Sequence, residues 1–189
     1  MVTKTLYFFQ RLTFQKKDLE PAVKIGDYAL SLFFPLRNIF YNFNIPNDIN
    51  IEIFNLNFKS PLVGSSFKSD ENIISIWLEM GIGGAVLKTV MRDQRIGNKS
   101  PRLQETNLNG SKGLVNSLGL PGDGIKQYSK KLENSKIWDY EVPVGLSIGG
   151  NDVIEYVNNI DFLESTFLSK KINYFYELNI SCPNIKNGR

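Results

Sequence analysis

Histidine is absent from this sequence of 189 residues, and cysteine occurs once, at Cys182. Without histidine, no catalytic triad, metal site or acid–base step in this chain can use an imidazole. A lone cysteine excludes an intrachain disulfide and a metal site built from clustered thiolates. We therefore expect no metal site, and the scarcity of thiols fits a reducing, cytoplasmic compartment.

A strong charge of either sign is also lacking. The chain has 22 Lys and Arg residues against 19 Asp and Glu residues, a net charge of +3. Such a balance is not typical of a nucleic-acid binder, so we expect no nucleic-acid partner. No run of about 18 uncharged apolar residues occurs, so no membrane-spanning helix is expected. Lysine and arginine interrupt the first 17 residues, which excludes a secretory signal there.

Aromatic residues are concentrated at the start of the chain. Residues 1–43 hold ten of the 23 aromatic side chains, and there basic residues outnumber acidic ones six to three. The pattern predicts a helix near 4–14 and another over about 19–33, with Asp18 as N-cap and Pro35 beyond its end. Such a helical pair could pack on the rest of the protein or lie on a membrane surface. We interpret residues 1–45 as a helical extension.

After Pro46 short apolar runs alternate with helical periodicity. Alternating apolar and polar residues predict a strand at 51–58. Four further strands are predicted at 61–64, 84–90, 144–148 and 174–180, with helices at 71–80, 123–135 and 152–166 and a long polar loop after 84–90. This alternation favours a parallel sheet with crossover helices.

Four βα units make half of a closed eight-stranded barrel, which typically needs about 250 residues. The predicted fold is therefore α/β: residues 46–189 form about four βα units of a partial (β/α)8 TIM barrel, preceded by the helical extension. We expect the sequence to be the amino-terminal part of a longer chain. A smaller open α/β sheet is the alternative.

In parallel α/β folds the working residues follow the carboxyl ends of strands. Ser65 and Ser66 follow the first strand of the four. They would let a flat ligand approach the backbone, or they form an ordinary tight loop. Lys88 lies at the end of the second strand, where it is either a solvated cap or an anion contact.

Amides and the thiol supply the remaining candidates. Asn116 lies in the loop segment LVNSLGLPG, where an amide often holds a turn. Asn179 and Asn184 flank Cys182 after the fourth strand. A single cysteine is usually inert and buried, but one in a polar loop at a strand end is a better candidate for an acid–base or nucleophilic group.

Together these segments resemble the dihydroorotate dehydrogenase family. The matching motifs run in the family's order from about residue 51 onward: AVLKTV, GNKSPRL, LVNSLGLPG, VGLSIGG and ELNISCPN. The resemblance implies an FMN-binding α/β barrel that oxidises dihydroorotate to orotate in pyrimidine biosynthesis. It would be an oxidoreductase acting on a CH–CH bond. We expect residues 1–189 alone to be inactive, because the family's FMN phosphate loops belong to its second half.

The resemblance also assigns roles. Cys182 corresponds to the catalytic base that removes a proton from C5 of dihydroorotate while hydride leaves C6 for the flavin. Asn116, Asn179 and Asn184 correspond to amides that bind the pyrimidine ring and its carboxylate, and Lys88 to a lysine that contacts flavin and substrate. The residues implied in cofactor binding are Ser65, Ser66, Lys88 and Asn179.

The electron acceptor is indicated by two features that disagree. A cysteine base is typical of the family's soluble forms, whereas residues 1–45 resemble the extension of its membrane-associated, quinone-reducing form. We favour quinone, because a whole helical extension is a larger feature than one Ser/Cys exchange. Fumarate and a nicotinamide relay are the alternatives. The protein would be cytoplasmic, with peripheral contact at the inner face of a membrane if the extension binds there.

Two other functions remain open at this point. One is a related FMN barrel acting on pyrimidines, similar to the pyrimidine-reducing domain of dihydropyrimidine dehydrogenase. The other is a non-catalytic half-barrel that serves as an interaction module. Activity on dihydroorotate against dihydrouracil separates the first, and a flavin spectrum excludes the second.

Overall fold

The computed structural model describes residues 18–41, 43–46 and 48–184, so the helix predicted near 4–14 lies outside the described residues. The extension contains helix α1 (Glu20–Phe33), a 3-10 turn (Phe34–Leu36) and the short helix α2 (Arg37–Phe40). The helix predicted over 19–33 is confirmed. The prediction of Asp18 as N-cap is wrong: Leu19 occupies the N-cap and has no side-chain cap hydrogen bond, while Asp18 lies one residue earlier and accepts the backbone N–H of Glu20 at 3.0 Å. Pro35 lies in the 3-10 turn beyond the helix, as expected.

The elements that follow alternate between strands and helices. In chain order they are β1 (Ile51–Ile53), β2 (Leu56–Phe58), β3 (Val63–Gly64), α3 (Glu71–Glu79), β4 (Gly84–Val90), β5 (Leu103–Leu108), β6 (Ser111–Asn116), α4 (Ile125–Glu133), a 3-10 helix (Lys136–Tyr140), β7 (Val144–Ile148), α5 (Val153–Phe167) and β8 (Tyr174–Leu178). The three helices and the four βα-unit strands predicted after Pro46 are thus confirmed, with shifts of a few residues at their ends.

Two predictions about local structure are wrong. Residues 51–58 form a hairpin of β1 and β2 instead of one strand, because Phe54 and Asn55 adopt positive φ angles of 50° and 62° and reverse the chain. The long polar loop after β4 contains the antiparallel hairpin β5–β6, which turns at Asn109 and Gly110. At 51–58 the apolar–polar alternation continues through the turn, and β6 buries none of its residues, so local periodicity did not separate the strands from the turns.

The central sheet is parallel and has the order β3-β4-β7-β8. Its helix-facing side chains form the core with α3, α4 and α5, and Leu87, Leu146 and Ile148 are fully buried there. Side chains alternate along each strand, so Ser147 and its register partner Glu177 lie on the other face. This confirms an α/β fold with partial-barrel content. Within the described residues the sheet is open, with β3 and β8 as its edge strands.

Candidate functional site

A hydroxyl–hydroxyl–amide cluster lies where β4, β7 and β8 end. Thr89 Oγ1 is 2.9 Å from Ser147 Oγ, and Asn179 Nδ2 donates to Thr89 Oγ1 at 2.9 Å. Thr89 and Ser147 are buried. The backbone of Asn179 is also held, since its N–H donates to the Ile148 carbonyl at 2.8 Å and Tyr156 donates its hydroxyl to the Asn179 carbonyl. The carboxamide of Asn179 is therefore fixed at the carboxyl edge of the sheet.

Lys88 precedes Thr89, at a point where the pairing of β4 with β7 shifts register. Its backbone N–H donates to the Lys68 carbonyl at 2.9 Å, which joins β4 to the loop after β3. The pKa of Lys88 is lowered, first by its burial and then by the positive charges of Arg102 and Lys68, which Glu20 partly offsets. A negatively charged ligand next to Lys88 would be favoured, because it would offset the cost of burying the ammonium group near two other positive charges.

A pocket of about 290 Å³ connects Lys88 with the helical extension. Its walls include Val23 and Asp27 from α1, Phe67 and Lys68 from the loop after β3, and Leu118. The Lys68 ammonium forms an ion pair with Asp27 and lies 5.5 Å from the centre of the Phe67 ring. The pocket has both charged and apolar walls, so it can take a ligand with a polar end and an apolar end.

Asn116 and Asn184 meet although they are 68 residues apart in the chain. Asn184 Nδ2 donates to Asn116 Oδ1 at 3.0 Å. Asn98 donates from its Nδ2 to two backbone carbonyls, that of Ser117 at 2.8 Å and that of Asn184 at 2.9 Å. Asn116, predicted in a loop, is the last residue of β6, so side-chain amides join the end of β6 to the loop after β8.

The remaining predicted residues lie in loops at the same edge of the sheet. Cys182 is a half-buried free thiol between Asn179 and Asn184. Ser65 and Ser66 follow β3, the former exposed and the latter half-buried, and the Ser65 carbonyl accepts the Phe67 N–H at 2.7 Å. Because the strands are parallel, their carboxyl ends bring these loops to one side of the sheet.

Sequence reasoning missed three polar residues of this edge. Thr89 and Ser147 are polar residues inside apolar strands, and that interruption was the available signal. Asn98 lies in the GNKSPRL motif, but nothing local indicates that its side chain reaches two distant loops. Its partners were set by the fold, because they follow strands far away in the sequence.

The described ranges were expected to contain neither a metal site nor a membrane-spanning helix. In residues 18–41, 43–46 and 48–184, no group of three or more His, Cys, Asp or Glu side chains is arranged to hold a metal ion. In the same ranges, no helix has the length and hydropathy that a membrane span requires.

Comparison with known proteins gives consistent matches. The family model for dihydroorotate dehydrogenase matches residues 48–189. The putative dihydroorotate dehydrogenase A (fumarate) of Aquifex aeolicus is 32% identical over 143 residues, covering 75% of this chain and 44% of the relative. The catalytic subunit of dihydroorotate dehydrogenase B (NAD(+)) from Bacillus pumilus is 31% identical over 144 residues, covering 74% and 43%.

A solved structure shares the fold. The crystal structure of DHODH from Eimeria tenella in complex with ferulenol superposes with a TM-score of 0.58 at 18% identity, covering 85% of this chain and 44% of that one. This chain therefore spans less than half the length of the relatives it matches.

Proposed function

The chain belongs to the dihydroorotate dehydrogenase family, and from this premise we propose that the protein to which these residues belong oxidises dihydroorotate to orotate. The observation that carries the proposal is the gathering of amides at one edge of the sheet. Asn184 contacts Asn116 at 3.0 Å, and Asn179 is held beside Lys88 through Thr89. Carboxamides suit a pyrimidine ring because each offers a donor and an acceptor to its alternating C=O and N–H groups.

The proposed cofactor is FMN. The donor set fits the ring of a flavin: Lys88 offers a half-buried ammonium that a neighbouring anion would stabilise, and Asn179 offers a fixed carboxamide. Ser65 and Ser66 are small enough for a flat ring to approach their backbone. When bound, FMN would supply the acceptor for the hydride that leaves C6 of dihydroorotate.

The chain's own residues would perform the other half of the reaction. Cys182, as a thiolate, would take the proton from C5, and the electron pair of that C–H bond would form the C5–C6 double bond of orotate as hydride leaves C6. Asn116, Asn179 and Asn184 would hold the ring and its carboxylate in register with the thiol. Lys88 would stabilise the negative charge that develops where the flavin and the substrate meet.

A cysteine substitution tests this proposal. In the FMN-loaded protein, Cys182→Ala is expected to slow the bleaching of flavin absorbance by dihydroorotate by about 10²- to 10⁴-fold, because the base is gone. Flavin content should not change. Ser181→Ala is the matched control, as Ser181 is an exposed neighbour. An unaltered rate in Cys182→Ala contradicts the assigned base, and faster bleaching by dihydrouracil than by dihydroorotate contradicts the substrate.

For the electron acceptor we propose a quinone that reaches the site along the helical extension. Apolar side chains of α1 and α2 face solvent, with Tyr28, Leu32 and Ile39 each more than 60% exposed, and α1 lines the pocket that ends at Lys88. An exposed apolar surface of this kind suits an apolar ligand or a membrane surface. The names of relatives include fumarate and NAD(+) as acceptors, so these are the competing candidates.

The acceptor is tested by comparing rates in one variant. Leu32→Asn combined with Ile39→Asn should lower the rate of quinone reduction and leave the rate with a soluble dye unchanged, since only the extension is altered. Leu108→Asn, at an exposed position of β5, is the control. Loss of both rates, or of neither, contradicts the quinone route, and wild-type turnover with fumarate or NAD(+) alone assigns one of those acceptors instead.

A further inference from the structure

Asn98 has a backbone that is fixed from two directions. Its N–H donates to the Leu118 carbonyl at 3.0 Å, and its own carbonyl accepts from Arg102 Nη1 at 3.1 Å. Arg102 Nη1 also donates to the Ile96 carbonyl at 2.7 Å. The segment that carries Asn98 therefore wraps around one guanidinium group.

The Arg102 group is itself held by the helical extension. Arg102 Nε donates to Glu20 Oε2 at 2.8 Å, and both side chains are more than 80% buried. The pKa of Glu20 is lowered, chiefly by this hydrogen bond. The backbone of Asn98 is thus held by Arg102, which is itself held by Glu20 of α1.

The carboxamide of Asn98 uses both of its N–H groups to join the two loops. One bond goes to the carbonyl of Ser117, the residue directly after Asn116, and the other goes to the carbonyl of Asn184. An amide nitrogen carries two hydrogens, so both donors are used. Asn98 therefore holds the backbone of the two loops whose side chains, Asn116 and Asn184, also contact each other.

Gly119 packs against the same carboxamide. A Cβ atom at Gly119 would lie 2.8–2.9 Å from the Cγ, Nδ2 and Oδ1 atoms of Asn98, and the residue has a φ of 74°. Only a residue without a side chain leaves room for the amide in this position. The orientation of the Asn98 side chain is thus supported by a close contact in addition to its hydrogen bonds.

We propose that Asn98 is a positioning residue that sets the spacing of Asn116 and Asn184, the two amides assigned to the pyrimidine ring; this inference rests on the proposed function. Asn98 itself need not touch the substrate. Its loss leaves both amides present but lets their loops move apart, so substrate affinity falls while the base and the flavin site stay intact.

The experiment measures loop exchange and ligand affinity in the FMN-loaded protein, with orotate as the probe. Asn98→Ala should weaken orotate binding in calorimetry by about five- to ten-fold, the size expected for one or two lost hydrogen bonds. Amide hydrogen exchange should become faster at 114–120 and 179–184. Flavin content, melting temperature and kcat at saturating dihydroorotate should be retained, while KM rises.

Two further variants control the interpretation. Asn107→Ala changes an exposed asparagine of β5 and should alter neither exchange at 179–184 nor orotate affinity. Gly119→Ala leaves Asn98 in the chain but fills the space that its carboxamide occupies, so it should weaken orotate binding in the same direction. It also keeps the inference testable if Asn98→Ala does not fold.

Each outcome bears on a different claim. If the unsubstituted protein does not bind orotate, the proposed function fails, and this inference fails with it. If it binds orotate and both Asn98→Ala and Gly119→Ala bind equally well, only the positioning role is overturned. Faster loop exchange with unchanged orotate affinity, or loss of flavin in a folded variant, also overturns it, because the role would then be structural.

Discussion

The central sheet and the helical extension are held in place by different forces. β4 and β7 contribute fully buried side chains such as Leu87, Leu146 and Ile148 to a continuous core. In the described part of the extension, no residue of α1 or α2 is fully buried. Ion pairs attach it instead: Glu20 to Arg102 at 2.8 Å, Arg37 to Glu79 at 3.4 Å, and Asp27 to Lys68.

Because of this difference, we expect the central sheet to be rigid and the contact between the helical extension and the sheet domain to be easily loosened. Burial of apolar surface contributes about 25 cal/mol for each Å² and depends little on salt. Partly exposed ion pairs typically contribute about 1 kcal/mol or less each and weaken with salt and acid. The strand ends that carry Lys88 and Asn179 should therefore stay fixed under conditions in which α1 moves.

A matched pair of leucine substitutions tests the comparison most strongly. Leu146→Ala should lower the free energy of unfolding by about 2–5 kcal/mol, because it leaves a cavity between the sheet and its helices. Leu32→Ala, at a position 63% exposed, should change it by about 0.5 kcal/mol or less. Urea unfolding followed by circular dichroism measures both. Equal losses would show that the extension shares the core.

A substitution of the buried Thr89 tests whether the central sheet holds Asn179 in place. Thr89→Val keeps the side-chain shape but removes the hydroxyl between Ser147 and Asn179, and should cost about 1–3 kcal/mol, because their polar atoms lose a buried partner. Thr106→Val on β5 is the control. Thermal unfolding reports the loss, and stability unchanged in Thr89→Val would mean that the cluster does not fix Asn179.

A charge substitution tests the attachment. Glu20→Gln should destabilise the contact of α1 with Arg102 by about 1 kcal/mol and leave the core unchanged. Amide hydrogen exchange should become faster in 20–33 and 96–103 but not in 144–148. Glu52→Gln, at an exposed position of β1, is the control. Faster exchange in β7 as well would contradict the separation of the two regions.

Acid should loosen the same attachment before it affects the core. The pKa of Glu20 lies below its ordinary value of 4.5, first because of the hydrogen bond from Arg102. The stabilisation is therefore present above pH 4.5 and is lost as the pH falls through the lower pKa of the folded state. The exchange rate of α1 amides, divided by the intrinsic exchange rate at each pH, should rise as the pH falls in the unsubstituted protein. In Glu20→Gln it should be high throughout, and parallel curves for the two would contradict the assignment.

Several parts of the fold could be predicted from local patterns. The apolar runs at 84–90 and 144–148 predicted β4 and β7, and the helical periodicity at 71–80 predicted α3. The β1–β2 turn was missed because Phe54, an aromatic residue with positive φ, is not a typical turn residue. The hairpin β5–β6 was missed because its burial is slight and its alternation weak.

The sequence by itself determined the parallel α/β architecture and the identity of the polar residues that its motifs carry, namely Lys88, Cys182 and the three asparagines Asn116, Asn179 and Asn184, because periodicity and motif are local properties of the chain. Only the tertiary structure decided which of those residues meet. Asn98, Asn116 and Asn184 are joined, and Thr89 links Asn179 to Ser147. Their separations in sequence carry no distance information, since strand order and register in the sheet set which loops adjoin.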